Sequence, residues 1–231
     1  MLTLRKSKDR GHHQEKWLDS RHTFSFDTYY DPDHMGFRDL RVINEDRVSP
    51  DHGFGMHPHR DMEIFTLVLS GALEHRDNLG NREVIGPWQI QKITAGTGIR
   101  HSETNPSTTE EVHLLQIWIM PEEKGLEPGY VLKDFSSAPE NRLTPILTPD
   151  GRDGSVQLRQ DAAVYLGRFS AGGSAEFRLE EGRHAWVQVI RGELAANGQR
   201  MEEADGAAIS EEEMLKLTTE KGTDLLLFDL N

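Results

Sequence analysis

Two short motifs in this chain carry side chains with metal-binding chemistry. One is a His-x-His pair, His57 and His59, and the other is a His-x-Glu pair, His101 and Glu103. Successive side chains on a β-strand alternate faces, so the two members of each pair point to the same side of their strand. Two such strands can enclose one cation between them.

The ligand types indicate which kind of cation this would be. Neutral imidazoles with one carboxylate leave coordination positions open, which suits a redox-capable first-row metal that must also hold a substrate or oxygen. A structural zinc ion is more usually closed by four ligands, often thiolates, and this chain contains no cysteine. The pattern therefore favours a reactive metal over a purely structural one.

The surroundings of the two motifs support a metal site, although an isolated His-x-His pair on a strand is often only a solvated pair. Both motifs follow glycine-rich turns. Each lies next to an apolar run of strand type, residues 62–69 for the first motif and residues 112–120 for the second. His75 and His113 lie in similar runs, where we interpret them as polar strand residues.

The same two stretches resemble the two motifs of the cupin superfamily. The first matches as His57-x-His59-x-x-x-Glu63 followed by Gly71, and the second as Gly98-x-x-His101-x-x-x-Asn105. The spacing from Glu63 to Gly71 is one residue longer than the common form, and Gly96 stands where a proline is usual. We interpret Asn105 as a residue that holds its turn.

A denser resemblance links the chain to the pirin family of that superfamily. It covers the stretches 17–26, 29–32, 35–37, 40–44, 57–63 and 95–103. The resemblance implies an all-β bicupin, made of two tandem antiparallel β-barrel domains of jelly-roll type.

The pirin resemblance also implies a ligand set of His57, His59, His101 and Glu103. Glu63 is the alternative carboxylate, because many cupins use the glutamate at that place. On an uninterrupted strand it would also lie on the same face as His57 and His59. We assign Glu63 instead to the surroundings of the site or to strand pairing. The expected cofactor is one divalent transition metal, with iron(II) first and Mn, Co, Ni, Cu and Zn as alternatives.

The activity that the resemblance implies is that of a quercetin 2,3-dioxygenase. In that reaction the metal binds the deprotonated 3-hydroxyl of a flavonol, and the ring opens with loss of carbon monoxide. The expected partners are therefore a small flavonol-like substrate and dioxygen. Glu103 is the candidate catalytic residue, a ligand in one state and a general base toward the substrate hydroxyl in another.

Two other functions stay open at this point. Pirin-like proteins are also associated with transcription cofactors or metabolic enzyme complexes, which would make the chain a metal-binding regulatory protein with a protein partner. A non-redox metalloenzyme, such as a sugar isomerase, could be built on the same fold. Metal content and oxygen uptake with quercetin separate the three.

Composition argues against several other classes of protein. The formal net charge of −13 argues against direct nucleic-acid binding, which depends on clustered Lys and Arg. No apolar run approaches the ~20 residues needed to span a bilayer, and the N-terminus lacks the apolar core of a secretory signal. We therefore expect a cytoplasmic protein with no membrane partner. The absence of cysteine excludes disulfides and thiolate metal sites.

Short apolar runs separated by turn residues predict an all-β fold. Residues 22–30 have the pattern of a half-buried strand, with Phe24 and Phe26 on one face. Prolines and glycines cluster between residues 121 and 154, which is typical of a linker.

The second half of the chain has the pattern of a copy of the first. Residues 189–194 align with residues 68–73, and in the same alignment Arg178 and Glu180 stand at the positions of His57 and His59. No histidine follows His184. We therefore predict an N-terminal metal-binding cupin domain over residues 1–135 and a metal-free C-terminal cupin domain over residues 145–231.

Overall fold

The computed structural model describes all 231 residues, and its secondary structure is almost entirely β. Strands account for 57% of the chain and helices for 3%, so the all-β, bicupin prediction is confirmed. The only helices are two short 3-10 turns, Ser7–Asp9 and Arg152–Gly154. Neither they nor any other segment forms an apolar helix of membrane-spanning length.

Twenty-one strands follow one another along the chain. The first twelve are β1 Leu2–Arg5, β2 Gly11–Gln14, β3 Leu18–His22, β4 Leu40–Val48, β5 Gly53–His59, β6 Glu63–Ser70, β7 Leu73–Asp77, β8 Arg82–Ile85, β9 Gln89–Thr94, β10 Ile99–Thr104, β11 Val112–Ile119 and β12 Gly129–Asp134. The others are β13 Arg142–Thr148, β14 Val156–Gln157, β15 Ala162–Phe169, β16 Ser174–Arg178, β17 His184–Ala196, β18 Gln199–Glu202, β19 Gly206–Ile209, β20 Met214–Thr218 and β21 Thr223–Leu230.

The strands form two compact units, one of Gly11–Ser136 and one of Met1–Arg10 with Ser137–Asn231. The first ten residues therefore differ from the predicted boundary, because they belong with the later half of the chain. The reason is pairing: β1 runs antiparallel to β19, with Leu2 opposite Ile209. Leu2 and Leu4 also pack against the apolar core of that unit.

The unit Gly11–Ser136 consists of two facing antiparallel sheets. One has seven strands in the order β12-β9-β6-β11-β4-β3-β2, and the other has four in the order β5-β10-β7-β8. The sheets stay open rather than closing into a barrel, so the unit is of jelly-roll type. Two clusters of buried apolar residues lie in this unit, one that includes Val68 and Leu114 and one that includes Ile64 and Ile93.

The predicted strand over residues 22–30 is wrong beyond its first residue. β3 ends at His22, and the following residues form a tight turn in which Phe26 and Tyr29 pair. The Ser25 hydroxyl donates to the Asp31 carbonyl and accepts from the Asp31 amide, both at 2.8 Å. Such local side-chain bonds compete with a strand ladder, which alternation alone does not reveal.

The other unit repeats the framework of the first. Its strands join in one ten-stranded sheet, in which β16 pairs with β20 as β5 pairs with β10. Gly192 has a φ of 78° and Gly71 a φ of 75°, at the aligned positions. A Cβ on either glycine would meet a carbonyl oxygen at 2.2 Å or 2.5 Å. Both positions therefore need glycine for the same reasons of backbone angle and space.

Candidate metal centre

The pairing of β5 with β10 brings the two metal-binding motifs together. His57 lies directly opposite His101, and His59 lies opposite Ile99. The register shifts between His101 and Glu103, so Glu103 lies opposite Phe54. This bulge re-aims Glu103 relative to a regular strand.

Three imidazole rings form a compact cluster at this pairing. The ring centroids of His57 and His101 are 4.4 Å apart, and those of His59 lie 4.8 Å from each of the other two. One nitrogen from each ring lies within 4.8 Å of the others. Three ligand atoms at such separations can converge on one ion.

The nitrogens that face this cluster are available to a ligand. Nε2 of His59 and Nε2 of His101 are buried and make no hydrogen bond. His57 uses Nδ1 to donate to the Gly55 carbonyl at 2.7 Å, which leaves its Nε2 free to ligate. Buried imidazole nitrogens without partners are a cost that a bound cation would remove.

The rings of His59 and His101 are both held in the neutral form that a metal needs. Burial, together with the neighbouring rings of His57 and His75, lowers the pKa of His101 to about 3. Burial likewise lowers the pKa of His59 to about 4, helped by the rings of His101 and His57. Neutral imidazoles are the ligating species.

Glu103 lies in a second group of close ligand atoms, with His101 and His75. Its side chain is buried, and its oxygens accept hydrogen bonds from three side chains. Oε2 accepts from Gln116 at 2.9 Å, and Oε1 accepts from Thr66 at 3.3 Å and from Gln91. Burial raises the pKa of Glu103, opposed by the nearby imidazoles and by the bond from Gln91.

The donors to Glu103 belong to a polar row that crosses five neighbouring strands. His22, Asn44, Gln116, Thr66 and Gln91 lie in register on β3, β4, β11, β6 and β9. All five are buried. Their roles could not be predicted from the sequence, where the only signal is a polar residue at an inward position of a strand.

His75 contacts His101 through the ring nitrogen that does not face the histidine cluster. The sequence did not predict this role. Asp77 can only accept, so His75 donates from Nε2 to Asp77 Oδ2 at 3.0 Å. The Nδ1 lone pair of His75 then faces Nδ1 of His101 at 3.5 Å, and His101 donates from Nδ1. This chain of bonds fixes the tautomer in which Nε2 of His101 carries no proton and is available to a ligand.

Asp77 is itself anchored as a carboxylate. It accepts from the backbone amides of Leu79 and Asn81 and from the Asn81 side chain. Burial alone would raise the pKa of Asp77, but the hydrogen bonds from His75 and Asn81 lower it below its ordinary value. It is therefore a firm acceptor at the end of the chain of bonds.

Glu63 makes a different contact from the ligand candidates. β6 lies in the seven-stranded sheet, and the Glu63 carboxylate pairs with the Lys92 ammonium at 2.5 Å. Both residues are buried. Asn105 bonds to the carbonyls of Val48 and Glu110 and holds its turn, and His113 bonds to Glu45.

A cavity of about 330 Å³ opens onto the cluster. Its walls include the aromatic rings of Trp17, Phe26, Phe54 and Trp118, and His57 and His59 lie at one side. Trp118 meets His59 edge to face at a centroid distance of 5.0 Å. The space therefore joins flat apolar walls to a few polar groups, as small-molecule sites do.

The geometry fits a divalent transition metal. The three histidines supply borderline nitrogen ligands, Glu103 supplies an oxygen nearby, and the cavity leaves one side open to a further ligand. Both groups of close ligand residues lie within Gly11–Ser136.

Comparison with known proteins gives a consistent result. Residues 3–119 match the family model described as Pirin, and residues 145–230 match the one described as quercetinase C-terminal cupin domain. The chain is 46% identical over 230 residues to the quercetin 2,3-dioxygenase of Escherichia coli strain K12, with 100% of this chain and 99% of the relative covered. It is 37% identical over 217 residues to a pirin-like protein of Caulobacter vibrioides, with 92% of each covered.

A solved structure of similar fold contains a metal. The crystal structure of the bacterial pirin YhhW from Escherichia coli in complex with nickel(II) matches this chain with a TM-score of 0.96. The two share 46% sequence identity, and the match covers 100% of this chain and 99% of that one.

Proposed function

Because the chain belongs to the pirin family, we propose that it is a metal-dependent dioxygenase that opens the central ring of flavonols such as quercetin. The observation that carries the proposal is the histidine cluster, whose unpartnered Nε2 atoms lie beside an aromatic-walled cavity. The name of the Escherichia coli relative and the nickel complex of YhhW support it.

We assign the metal to His57, His59 and His101, with Glu103 as the fourth ligand. When bound there, a divalent ion supplies positive charge for a deprotonated substrate hydroxyl and redox capacity toward dioxygen. Iron(II) is the ion that we expect, and the YhhW complex makes nickel(II) the first alternative to test.

The cavity supplies the binding surface for the substrate. Phe26 packs edge to face against Trp118 at a centroid distance of 5.4 Å, which gives one wall two fixed ring orientations. Trp17 and Phe54 make a similar pair at 5.5 Å. Rings held in this way favour a flat aromatic molecule, because it can stack without displacing them.

Glu103 is suited to take the proton of the substrate hydroxyl. Burial raises its pKa, so it is a stronger base than an exposed glutamate. The bonds from Gln91, Thr66 and Gln116 keep its carboxylate in one position while the proton moves from the substrate oxygen to it. Both atoms of dioxygen then enter the ring-opened ester, and one ring carbon leaves as carbon monoxide.

Metal reconstitution and oxygen uptake test the proposal. We expect about one divalent ion per chain, and oxygen uptake with quercetin only in the loaded protein. The His57→Ala, His101→Ala double variant should lose both the ion and the oxygen uptake. A loaded protein that takes up no oxygen with any flavonol would refute the dioxygenase assignment and favour a regulatory, metal-binding role.

A further inference from the structure

A buried carboxyl group lies in the wall of the aromatic cavity, apart from the histidine cluster. Asp46 on β4 lies opposite Ser20 on β3, and both residues line the cavity. The Ser20 hydroxyl donates to Asp46 Oδ1. Each residue is only 3% exposed.

The second oxygen of Asp46 has no partner within the protein. The Ser20 bond is the only hydrogen bond to this carboxyl group, and no Lys or Arg pairs with it. Burial raises the pKa of Asp46 to about 7; the Ser20 bond opposes this rise and the charge of Glu103 adds to it. A carboxyl group buried in this way costs stability.

Asp46 accepts fewer hydrogen bonds from the protein than Asp77 does. The Asp77 side chain is also buried, but it accepts hydrogen bonds from His75, from Asn81 and from two backbone amides. Oδ2 of Asp46 is not one of the fully buried side-chain atoms that lack a partner, which fits its contact with the cavity. For Asp46 the remaining bonding capacity faces the cavity rather than the protein interior.

The position of Asp46 relative to the metal-side groups is set by strand register. Asn44 lies opposite Gln116, whose side chain reaches Glu103. Asp46 is two residues further along the same strand and on the same face, a displacement of about 7 Å. Asp46 lines the same cavity as His57 and His59, so one ligand in that cavity can reach both the histidine cluster and Asp46.

We propose that Asp46, oriented by Ser20, is a specificity-determining residue that hydrogen-bonds a hydroxyl group on an outer ring of the substrate. The chain would thereby select flat aromatic molecules that carry such a hydroxyl over those that lack it. The substrate class rests on the proposed function, but the contact itself concerns binding alone. A site that hydrogen-bonds a substrate hydroxyl discriminates strongly, because its polar group stays unpaired when the hydroxyl is missing.

Ligand pairs and matched variants test this contact. Quercetin carries hydroxyls on both outer rings, whereas 3-hydroxyflavone carries only the one on the central ring. Dissociation constants for both are measured on metal-loaded protein without oxygen, through quenching of tryptophan fluorescence, since Trp17 and Trp118 line the cavity. The variants are Asp46→Ala and Asp46→Asn, and the control is Glu45→Gln, whose side chain bonds to His113 outside the cavity.

We expect Asp46→Ala to weaken quercetin binding by a factor on the order of 10 to 100, the usual cost of a lost buried hydrogen bond. Binding of 3-hydroxyflavone should change little, and Glu45→Gln should leave both constants unchanged. Asp46→Asn should keep or raise the melting temperature, which shows that the fold is intact.

The possible outcomes distinguish the Asp46 contact from the dioxygenase proposal. An equal loss for both flavonols, or no loss for either, would overturn the role of Asp46 and leave the dioxygenase proposal standing. A selective loss in a protein that never consumes oxygen would support the contact and refute the dioxygenase proposal. If the unaltered protein binds neither flavonol, both proposals fall.

Discussion

Each histidine that we propose as a ligand has a second ring nitrogen, and the partner of that nitrogen decides which one would face the metal. For His57 the partner is the carbonyl of Gly55, two residues earlier in the same strand. For His101 the partner is His75, which Asp77 holds in turn. The ligand set is therefore only half of the site, because these outer contacts fix the tautomers.

Removing the support behind His101 should weaken metal binding. We expect Asp77→Asn and His75→Ala each to lower metal affinity by a factor of about 10 to 100, the range typical of such outer partners. Competition with a chromogenic chelator measures the change. His113→Ala is the control, because His113 bonds to Glu45 and joins neither group of close ligand residues. Unchanged affinity in both variants would contradict the role given to His75.

The two candidate carboxylates should respond differently to the loss of charge. Glu63→Gln leaves the buried Lys92 without its carboxylate, so we expect a loss of stability on the order of 3 to 5 kcal/mol with metal stoichiometry kept. Glu103→Gln should lower metal content modestly and flavonol turnover by a factor on the order of 10² or more. Urea unfolding, metal analysis and oxygen uptake measure these effects. Loss of the metal in Glu63→Gln alone would reverse the assignment.

Residue type and spacing were enough to predict the histidine cluster, because the side chains that share one face of a strand can be read from the local sequence alone. His57, His59 and His101 do meet. Asp46 and His75 could not be recognised in this way, because their roles depend on which distant strand lies beside them. His75 was interpreted as a polar strand residue, and only the pairing of β7 with β10 places it behind His101.

At the scale of elements, the pairing of β5 with β10 determines whether the motifs meet. A Cβ on Gly53 would lie 2.3 Å from the Glu103 carbonyl oxygen and 2.5 Å from the Thr104 Cα atom. The two backbones therefore approach too closely for any side chain at this position. A Cβ on Gly55, in the same strand, would meet nothing within 4 Å.

These two glycines form a matched pair for testing the strand pairing. We expect Gly53→Ala to push β5 from β10, to lower the melting temperature and to weaken metal binding by at least about 10-fold, since small misplacements of ligands are costly. Gly55→Ala should stay within about 0.5 kcal/mol of the unaltered protein, as most substitutions in open space do. Thermal unfolding and chelator competition check both variants, and equal effects would show that the close approach is unimportant.

Alternation predicted most strands but not the breaks between them. Glu63 shares the parity of His57 and His59 only if one strand continues through all three. Asp61 has a φ of 48°, and the chain passes there from the four-stranded to the seven-stranded sheet. The parity argument therefore stops before Glu63, and its side chain meets Lys92 instead.

At the scale of the whole molecule, one framework occurs twice and carries the histidine cluster once. The alignment of residues 189–194 with 68–73 predicted the copy, and Gly192 and Gly71 adopt the same backbone angle at equivalent turns. Arg178, at the position aligned with His57, lies on β16 opposite Met214. The placement of the first ten residues could not be predicted, because pairing of β1 with β19 joins segments far apart in sequence.

The central claim is that metal held by the histidine cluster lets this chain insert both atoms of dioxygen into a flavonol. A single-turnover reaction of metal-loaded protein with quercetin under ¹⁸O₂ tests it most directly, with mass spectrometry of the product and quantification of carbon monoxide. We predict a ring-opened ester that contains two labelled oxygen atoms, one carbon monoxide released per product, and no product from the His57→Ala, His101→Ala variant. A product with one labelled atom or none, absence of carbon monoxide, or equal product from the double variant would contradict the claim.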